Sequence, residues 1–568
     1  MQFNYTFAQN TIKCAMIKEN FIQLFADSFK KNWELKALSD YVEKTSFTYG
    51  EVATEVAKLH MLFEACHIKQ GDKIALIGRN TSSWCIVYIA TITYGAVIVP
   101  ILPDFNPNDV HHIVSHSDSV LLFTTDQIWE SLEEEKLAGI KGAFSLTDFR
   151  CIYQKDGETI QKFMAHHEKA FKTKYPNGYH IEDIHYAKRS NSELALISYT
   201  SGTTGFSKGV MLSANNLAGN TAFGLTTKLY SPGDNCLCFL PLAHAYGCAF
   251  DFLTPINAGA HITLLSKIPT PKILLKAFEE IKPKLICMVP LILEKIYKKQ
   301  ILPKISSSAI KLLLNVPFVN EKIYSKIRET LVQSFGGNFS QIIVGGAPLN
   351  KEVEEFLYKI KFPFTVGYGM TECAPLISYS RWDNFIPTSA GMVLHGYMEV
   401  KIDSDDPYNK VGEIMVRGEH VMMGYYKNPE ATAAIMRDGW LLTGDMGKID
   451  AEGNIYIRGR SKSMILGASG QNIYPEEIEA KLNNMPCVME SLVIERNGKL
   501  VALVYPDYDG LDSVDNTQEV LPAIMDENRK NLNKIVAPYE QISSIELYPN
   551  EFEKTHKKII KRYLYQAQ

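Results

Sequence analysis

Hydrophobic positions along the chain follow two rhythms. From about Phe21 to Tyr199, stretches with a helical repeat of apolar residues alternate with short apolar runs such as KIALIG (Lys73–Gly78) and SVLLFTT (Ser119–Thr125). Strands alternating with helices predict an α/β sheet. The stretch from Glu133 to Ser192 is more polar and belongs at the periphery. From Leu194 the alternation resumes. LALISY, CLCFLPL, HITLL, KLICMVP and QIIVGG read as strands, with PKILLKAFEEI, PLILEKIYKK and NEKIYSKIRETLVQSF as helices between them. After Ser389 the rhythm shortens. MEVKID, GEIMVRG and NIYIRG alternate as strands separated by turn residues, the pattern of a small β-barrel or meander over about 389–459. Beyond Gly459 come a helix (PEEIEAKLNN), two strands (ESLVIE, LVALVYP), a helix near Leu521 to Ile535 and a strand (ISSIELYP), which together predict a small α+β domain. The expected fold class is α/β. Residues 1–459 form a large N-terminal domain that includes the β-barrel, and residues 460–568 form the small C-terminal domain.

One segment competes with this picture. WCIVYIATITYGAVIVPILP (Trp84–Pro103) is uncharged and long enough to suggest a membrane span. It contains Gly95, Pro100 and Pro103, and its second half is β-branched. A buried helix followed by a buried strand, broken at Tyr94-Gly95, accounts for it better.

Composition narrows the class further. Hydrophobic residues at 46% and charged residues at 21% fit an ordinary globular protein. A net charge of -4 gives no basic footprint for nucleic acid, and the short acidic run Glu133–Glu135 reads as a solvated helix face. The ten cysteines include no C-x-x-C pair. Free thiols in a reducing, cytoplasmic setting are expected, and the N-terminus carries no apolar stretch of signal-peptide type.

The densest chemistry lies in YTSGTTGFSKGVMLSANNL (Tyr199–Leu217). A Walker loop needs glycine directly before its lysine, whereas here Lys208 precedes Gly209. The physics still points to phosphate. Gly202 and Gly205 let backbone N–H groups turn toward an anion. Thr200, Ser201, Thr203, Thr204 and Ser207 add hydroxyls, and Lys208 adds a point charge. A plain Ser/Thr/Gly surface loop is the competing explanation, but such loops rarely follow an apolar strand with hydroxyls this dense.

Other stretches say less alone. In VGYGMTECAP (Val366–Pro375), Gly367 and Gly369 leave room for close approach and Tyr368 offers a flat ring for a base. Thr371 suits a phosphate, and Glu372 suits Mg2+, which takes carboxylate with phosphate oxygens. VGGAPL (Val344–Leu349) places Gly345 and Gly346 at a strand end. In WLLTGDMGKID (Trp440–Asp450), Asp445 is either a turn cap or a carboxylate that accepts both ribose hydroxyls. YIRGRSKSMIL (Tyr456–Leu466) sets Arg458, Arg460 and Lys462 at a domain junction. Glycine–tyrosine turns, capping aspartates and surface arginines are each common.

Taken in order, TSGTTGFSKG, GYGMTE, TGD and GRSK resemble the core motifs of the adenylate-forming superfamily, from about Phe21 to the C-terminus. PLAHAYG (Pro241–Gly247) and QNIYPEEIE (Gln471–Glu479) resemble its long-chain fatty-acid–CoA ligase branch. The resemblance implies two half-reactions: a carboxylate attacks the α-phosphate of ATP, and coenzyme A then takes the acyl group and releases AMP. It implies that the loop Thr200–Lys208, including Ser201, Gly202, Thr203, Thr204 and Gly205, holds pyrophosphate. Thr200 and Glu372 are implied contacts of Mg2+. Gly345, Gly346, Gly367, Tyr368 and Thr371 would border adenine and α-phosphate, and Asp445 and Arg460 the ribose. His244, otherwise a satisfied core histidine, would line the acyl channel near the reacting carboxylate. The C-terminal domain would be mobile, with its hinge at Lys462.

The sequence departs from the family pattern twice. The usual ending T-x-x-G-K-I-x-R is here within EKTHKKIIKR (Glu553–Arg562), and a gapless match puts Ile559 where the lysine belongs. Lys558 is the candidate for that charge, with Lys557 and Lys561 as substitutes. Ala214 stands where many relatives carry histidine, with little effect expected. Other acids, an aryl acid included, and a carrier-protein acceptor stay open, as does a non-catalytic nucleotide or acyl binder. A P-loop NTPase would release ADP rather than AMP, and the missing G-K-[ST] argues against it. Long acyl chains make peripheral membrane contact an expectation, and the oligomeric state is left open.

Overall fold

The computed structural model describes residues 17–155, 157–200, 207–305, 316, 319–467, 471–508, 517–555 and 560–566. Two mixed sheets dominate it. In an eight-stranded sheet, Leu194–Thr200, Val97–Ile101, Lys73–Ile77, Ser119–Thr124 and Gly142–Ser145 lie side by side and parallel. Antiparallel strands finish both edges: Cys151–Gln154 at one, and Lys208–Ser213 followed by Gly424–Tyr425 at the other. In a seven-stranded sheet the order is Phe364–Val366, Gln341–Val344, Leu285–Met288, Asn235–Cys238, His261–Leu264, Lys36–Asp40 and Ser46–Thr48, with only the last pair antiparallel.

Parallel strands covered on both faces read as continuous apolar runs, and every residue of Val97–Ile101 is buried. The Trp84–Pro103 segment resolves into the buried helix and strand expected of it. Thr81 caps helix Ser82–Tyr94 by accepting the Trp84 N–H, and Gly95 ends it at φ +87°, a left-handed turn that glycine adopts without strain. Among the described residues no helix is long and apolar enough to cross a membrane. The strands from LALISY to QIIVGG form as expected, with helices Pro271–Ile281, Pro290–Ile296 and Val319–Ser334 among them. The polar stretch before Leu194 supplies the strands at one sheet edge and the half-exposed helix Thr159–Lys174.

The β-rich part is an antiparallel sheet of five strands: Met398–Asp403, Gly412–Gly418, Trp440–Ile449, Met436–Arg437 and Ile455–Arg460. Among the described residues no strand pair closes it into the expected barrel. Beyond it, Val488–Arg496, Lys499–Pro506 and Ile542–Leu547 form a separate three-stranded sheet with helices Pro475–Leu482 and Thr517–Ile535. The largest hydrophobic cluster extends to Ile455, with Ile457 packed on it, and a different cluster starts at Ile473, with Ile465 packed on it.

His420 joins several pieces of the larger body. It is fully buried, and its Nδ1–H donates to the Leu376 carbonyl at 2.7 Å. A Cβ on Gly219 would lie 2.6 Å from its ring, so helix Ala214–Thr226 presents glycine there. Burial lowers the pKa of His420 to about 4. The unfolded chain, with an ordinary histidine pKa of ~6.5, therefore binds the proton first as pH falls. Stability is complete above that value and is lost toward the folded pKa, by about 2 kcal/mol between pH 7 and 5 for this one group. Thermal melting of wild type and His420→Gln across that range is expected to show a flatter pH slope in the variant. Equal slopes would mean that the histidine does not carry the linkage.

Candidate functional site

Thr200 ends one strand and Lys208 begins the next, and the two are cross-strand partners. The sequence reading put Lys208 in the loop. Its pairing with Thr200 makes it the first residue of strand Lys208–Ser213 instead. Ser201, Gly202, Thr203, Thr204 and Gly205 lie outside the described residues. On its other side this strand takes Gly424–Tyr425, with Tyr425 opposite Val210 and the Tyr426 N–H donating to the Gly209 carbonyl at 2.7 Å. Tyr425 thereby reaches both charged candidates. The Lys208 ammonium lies 5.0 Å from its ring centroid. Its hydroxyl donates to Glu372 Oε1 at 2.8 Å.

The segment carrying Glu372 is held by helix Ala214–Thr226. Ser213 caps that helix and Ala214, itself buried, is its first residue. Asn220 Oδ1 accepts the Leu376 N–H at 3.0 Å. Asn216 donates to the carbonyls of Glu419 at 2.8 Å and Val421 at 2.9 Å. The Met422 N–H returns to the Glu372 carbonyl at 2.8 Å. Thr371 is buried at the start of the short turn Thr371–Cys373.

Gly345, Gly346 and Gly367 sit just past the carboxyl ends of parallel strands, where open α/β sheets place their ligand crevices. The Gly345 N–H donates to Met288 and the Gly367 N–H to Val344. A Cβ on Gly345 would lie 3.3 Å from the ring of Tyr246, whose hydroxyl donates to the Ile343 carbonyl at 2.8 Å.

Tyr368 donates to Asp445 Oδ2 at 2.7 Å, and Arg460 Nε lies 3.0 Å from Asp445 Oδ1. Asp445 and Arg460 are cross-strand partners. Asp445 was expected in a tight turn. It lies instead within strand Trp440–Ile449, at a register break opposite Glu413–Met415 where Gly444 has φ +73° and the Thr443 hydroxyl bonds the Ile414 carbonyl. Such bulges re-aim a side chain. Burial raises the Asp445 pKa, opposed by the Arg460 cation and the Tyr368 hydroxyl. Arg458 pairs with Glu477 at 3.2 Å, and exposed Lys462 lies in the turn after Arg460.

His244 precedes the short helix Ala245–Gly247, and its carbonyl accepts the Cys248 N–H at 2.9 Å. Its neighbours Ala243 and Ala245 line an apolar pocket with Leu196, Leu212, Ala249 and Leu253. Lys558 lies outside the described residues. Around it, Lys561 approaches Glu553 at 3.5 Å and Arg562 grips buried Glu479 through Nη1 at 2.8 Å and through Nη2.

Glu372 fits a cation that arrives with phosphates. Mg2+ commonly takes one or two protein carboxylates and fills its octahedron with phosphate oxygens and water. Among the described residues no group of three or more His, Cys, Asp or Glu side chains could hold a metal by itself. Sequence reasoning missed Tyr425, Tyr246 and Asn220. The available signal for the first is the Gly-Tyr-Tyr of MMGYYKNPEAT, Met422 to Thr432.

The family described as AMP-binding enzyme matches residues 25–426. The chain is similar to the long-chain-fatty-acid–CoA ligase heimdall of Drosophila melanogaster, 26% identical over 522 residues, covering 85% of this chain and 75% of the fly protein. It is similar to a long-chain-fatty-acid–CoA ligase of Bacillus subtilis, 27% identical over 497 residues, covering 83% and 81%. In fold it resembles ATP-bound MatB from Rhodopseudomonas palustris, with TM-score 0.74, 22% identity and coverage of 96% and 98%. It also resembles the anthranilate CoA ligase AuaEII in complex with anthranoyl-AMP, with TM-score 0.75, 17% identity and coverage of 96% for each chain.

The Asp445–Arg460 pair predicts a coupled stability effect. Arg460→Ala leaves a buried carboxylate without its cation and is expected to cost roughly 1–2 kcal/mol, discounted because the arginine is half exposed. The double variant Asp445→Asn/Arg460→Ala is expected to recover most of that loss in ligand-free melting. Strictly additive losses would show that the two groups are not coupled.

Proposed function

The chain belongs to the AMP-binding enzyme family, and from that premise we propose that it activates a long-chain fatty acid with ATP, releasing pyrophosphate, and passes the acyl group to coenzyme A. One observation carries this reading. The strand pair Leu194–Thr200 and Lys208–Ser213 bears Thr200 and Lys208 at one end and contributes Leu196, Ser198 and Leu212 to the apolar pocket. A carboxylate near the strand ends would meet a phosphate there, with its tail directed toward the leucines of this pocket. The names of the relatives support the same substrate class.

In this reading a carboxylate oxygen attacks the α-phosphorus of ATP, the bond to the bridging oxygen breaks, and pyrophosphate leaves with its electron pair. The sulfur of coenzyme A then attacks the acyl carbon, loses its proton, and AMP leaves. Two anions must approach in the first step, so positive charge and aligned N–H dipoles supply the stabilisation. Lys208 and the loop from Thr200, with Ser201 to Gly205, serve the pyrophosphate. Gly345, Gly346, Gly367, Tyr368 and Thr371 border adenine and α-phosphate, and Asp445 with Arg460 takes the ribose hydroxyls. Thr200 and Glu372 would hold Mg2+, which neutralises phosphate charge when bound. His244 faces the reacting carboxylate. Lys558 is proposed for the C-terminal charge, with Lys557 and Lys561 as substitutes. The domain boundary at 459/460, a mobile C-terminal domain hinged at Lys462, and peripheral contact with the membranes that hold the acid belong to the same proposal.

Carboxylate-dependent ATP–pyrophosphate exchange with acids of graded length tests it. Exchange is expected to peak with long chains and to fall at least about 100-fold in Lys208→Ala or Glu372→Gln, the scale of losing one charged group that stabilises the transition state. Exchange that favours short or aryl acids would replace the substrate class, and ADP as product would overturn the reading. Ala249→Phe, which fills the pocket, is expected to shift the optimum toward shorter acids with little change in ATP dependence. An unchanged length profile would remove this pocket from the acyl path.

A further inference from the structure

Lys208 and Glu372 touch one ring yet do not form an ion pair with each other. Lys208 lies over the face of Tyr425, 5.0 Å from its centroid, while Glu372 accepts the hydroxyl at the ring edge at 2.8 Å. A lysine and a glutamate this near each other would otherwise gain by direct contact, which would neutralise both. The aromatic face attracts the cation through its quadrupole, and the phenol offers the carboxylate a neutral donor. We propose that Tyr425 is a positioning residue for nucleotide activation: it keeps the Lys208 cation and the Glu372 carboxylate apart and ready, the first for the phosphates and the second for the divalent cation that accompanies them.

The backbone supports this role. Gly424–Tyr425 is hydrogen-bonded as a strand beside Lys208–Ser213, and the Tyr425 N–H donates to the Thr432 hydroxyl at 2.9 Å. The ring is therefore fixed relative to the first residue of the neighbouring strand, Lys208. Glu372 is fixed from the other side, because the Met422 N–H donates to its carbonyl. One short segment, 422–426, thus sets the spacing of both charges. The hydrogen bond engages Oε1 of Glu372 and leaves Oε2 without a bond to Tyr425.

This inference rests on the reading that Lys208 serves phosphate and Glu372 serves Mg2+, and the test separates the two. Binding of ATP is measured by calorimetry, without metal and across a Mg2+ titration, for wild type, Tyr425→Phe and Tyr425→Leu, with melting temperatures alongside. Tyr425→Phe keeps the ring and loses the hydroxyl. It is expected to raise the Mg2+ concentration for half-maximal binding about tenfold and to leave metal-free ATP binding unchanged, the effect of losing one hydrogen bond to a charged group. Tyr425→Leu is expected to weaken metal-free ATP binding as well, by roughly three- to tenfold. Variants that match wild type in both titrations overturn the assignment. So do variants that lose both in equal proportion together with melting temperature, which marks a merely structural tyrosine. The expected split without exchange for any acid would uphold the role of Tyr425 and defeat acid activation. A wild type that binds no ATP would defeat both.

Discussion

Main-chain hydrogen bonds on both sides of the strand Lys208–Ser213 are the constraint on which the site depends. One side pairs with Leu194–Thr200, with Thr200 opposite Lys208. The other side takes Gly424–Tyr425, more than two hundred residues away in sequence. The helix that follows directly, Ala214–Thr226, then fixes the Thr371–Leu376 segment through Asn220 and the 419–421 segment through Asn216. Three stretches remote in the chain are thus set by one strand and its helix. Backbone groups in such a place must be paired, so the arrangement leaves little freedom in spacing.

Much of the fold was legible because its strands are buried on both faces. Runs such as VIVPI and LICM have few readings once length and flanking turns are considered. The order of the glycine-rich motifs pointed to the family whose model matches residues 25–426. What the sequence hid was pairing between distant parts. Nothing local announces that Tyr425 continues the sheet begun by Lys73–Ile77, or that Asp445 sits on a bulge rather than in a turn. A bulge inserts a residue without changing the apolar–polar rhythm much, and a two-residue strand such as Gly424–Tyr425 is too short to show a period. Over 389–459 the strand spacing suits a small β-barrel or a meander, and among the described residues the sheet stays open; closure depends on tilt and register that a strand count does not contain.

Charge is handled in two ways within one molecule. Asp445 is buried but keeps Arg460 and Tyr368 on its two oxygens, which offsets the cost of desolvation. Asp251, on the buried helix Cys248–Leu253, has an oxygen with no hydrogen-bond partner, and burial pushes its carboxyl far above the ordinary range. Burial there disfavours the charged form. The first carboxylate stays paired with its cation, and the second behaves as a small core residue behind the pocket wall formed by Cys248, Ala249 and Leu253.

The uncharged helix and strand of Trp84–Pro103 bear on how the chain is made. Val97–Ile101 is flanked by Lys73–Ile77, which is synthesised before it, and by Leu194–Thr200, which is synthesised after it. At ribosomal rates of ~5–20 residues per second, the later flank emerges roughly 5–20 s after the strand itself. During that interval one edge of a fully apolar strand has no partner. Local closure of helix Ser82–Tyr94 by Thr81 and Gly95, its packing against the earlier helix Tyr49–Ala65, and early pairing with Lys73–Ile77 are the contacts open to the nascent segment in that interval.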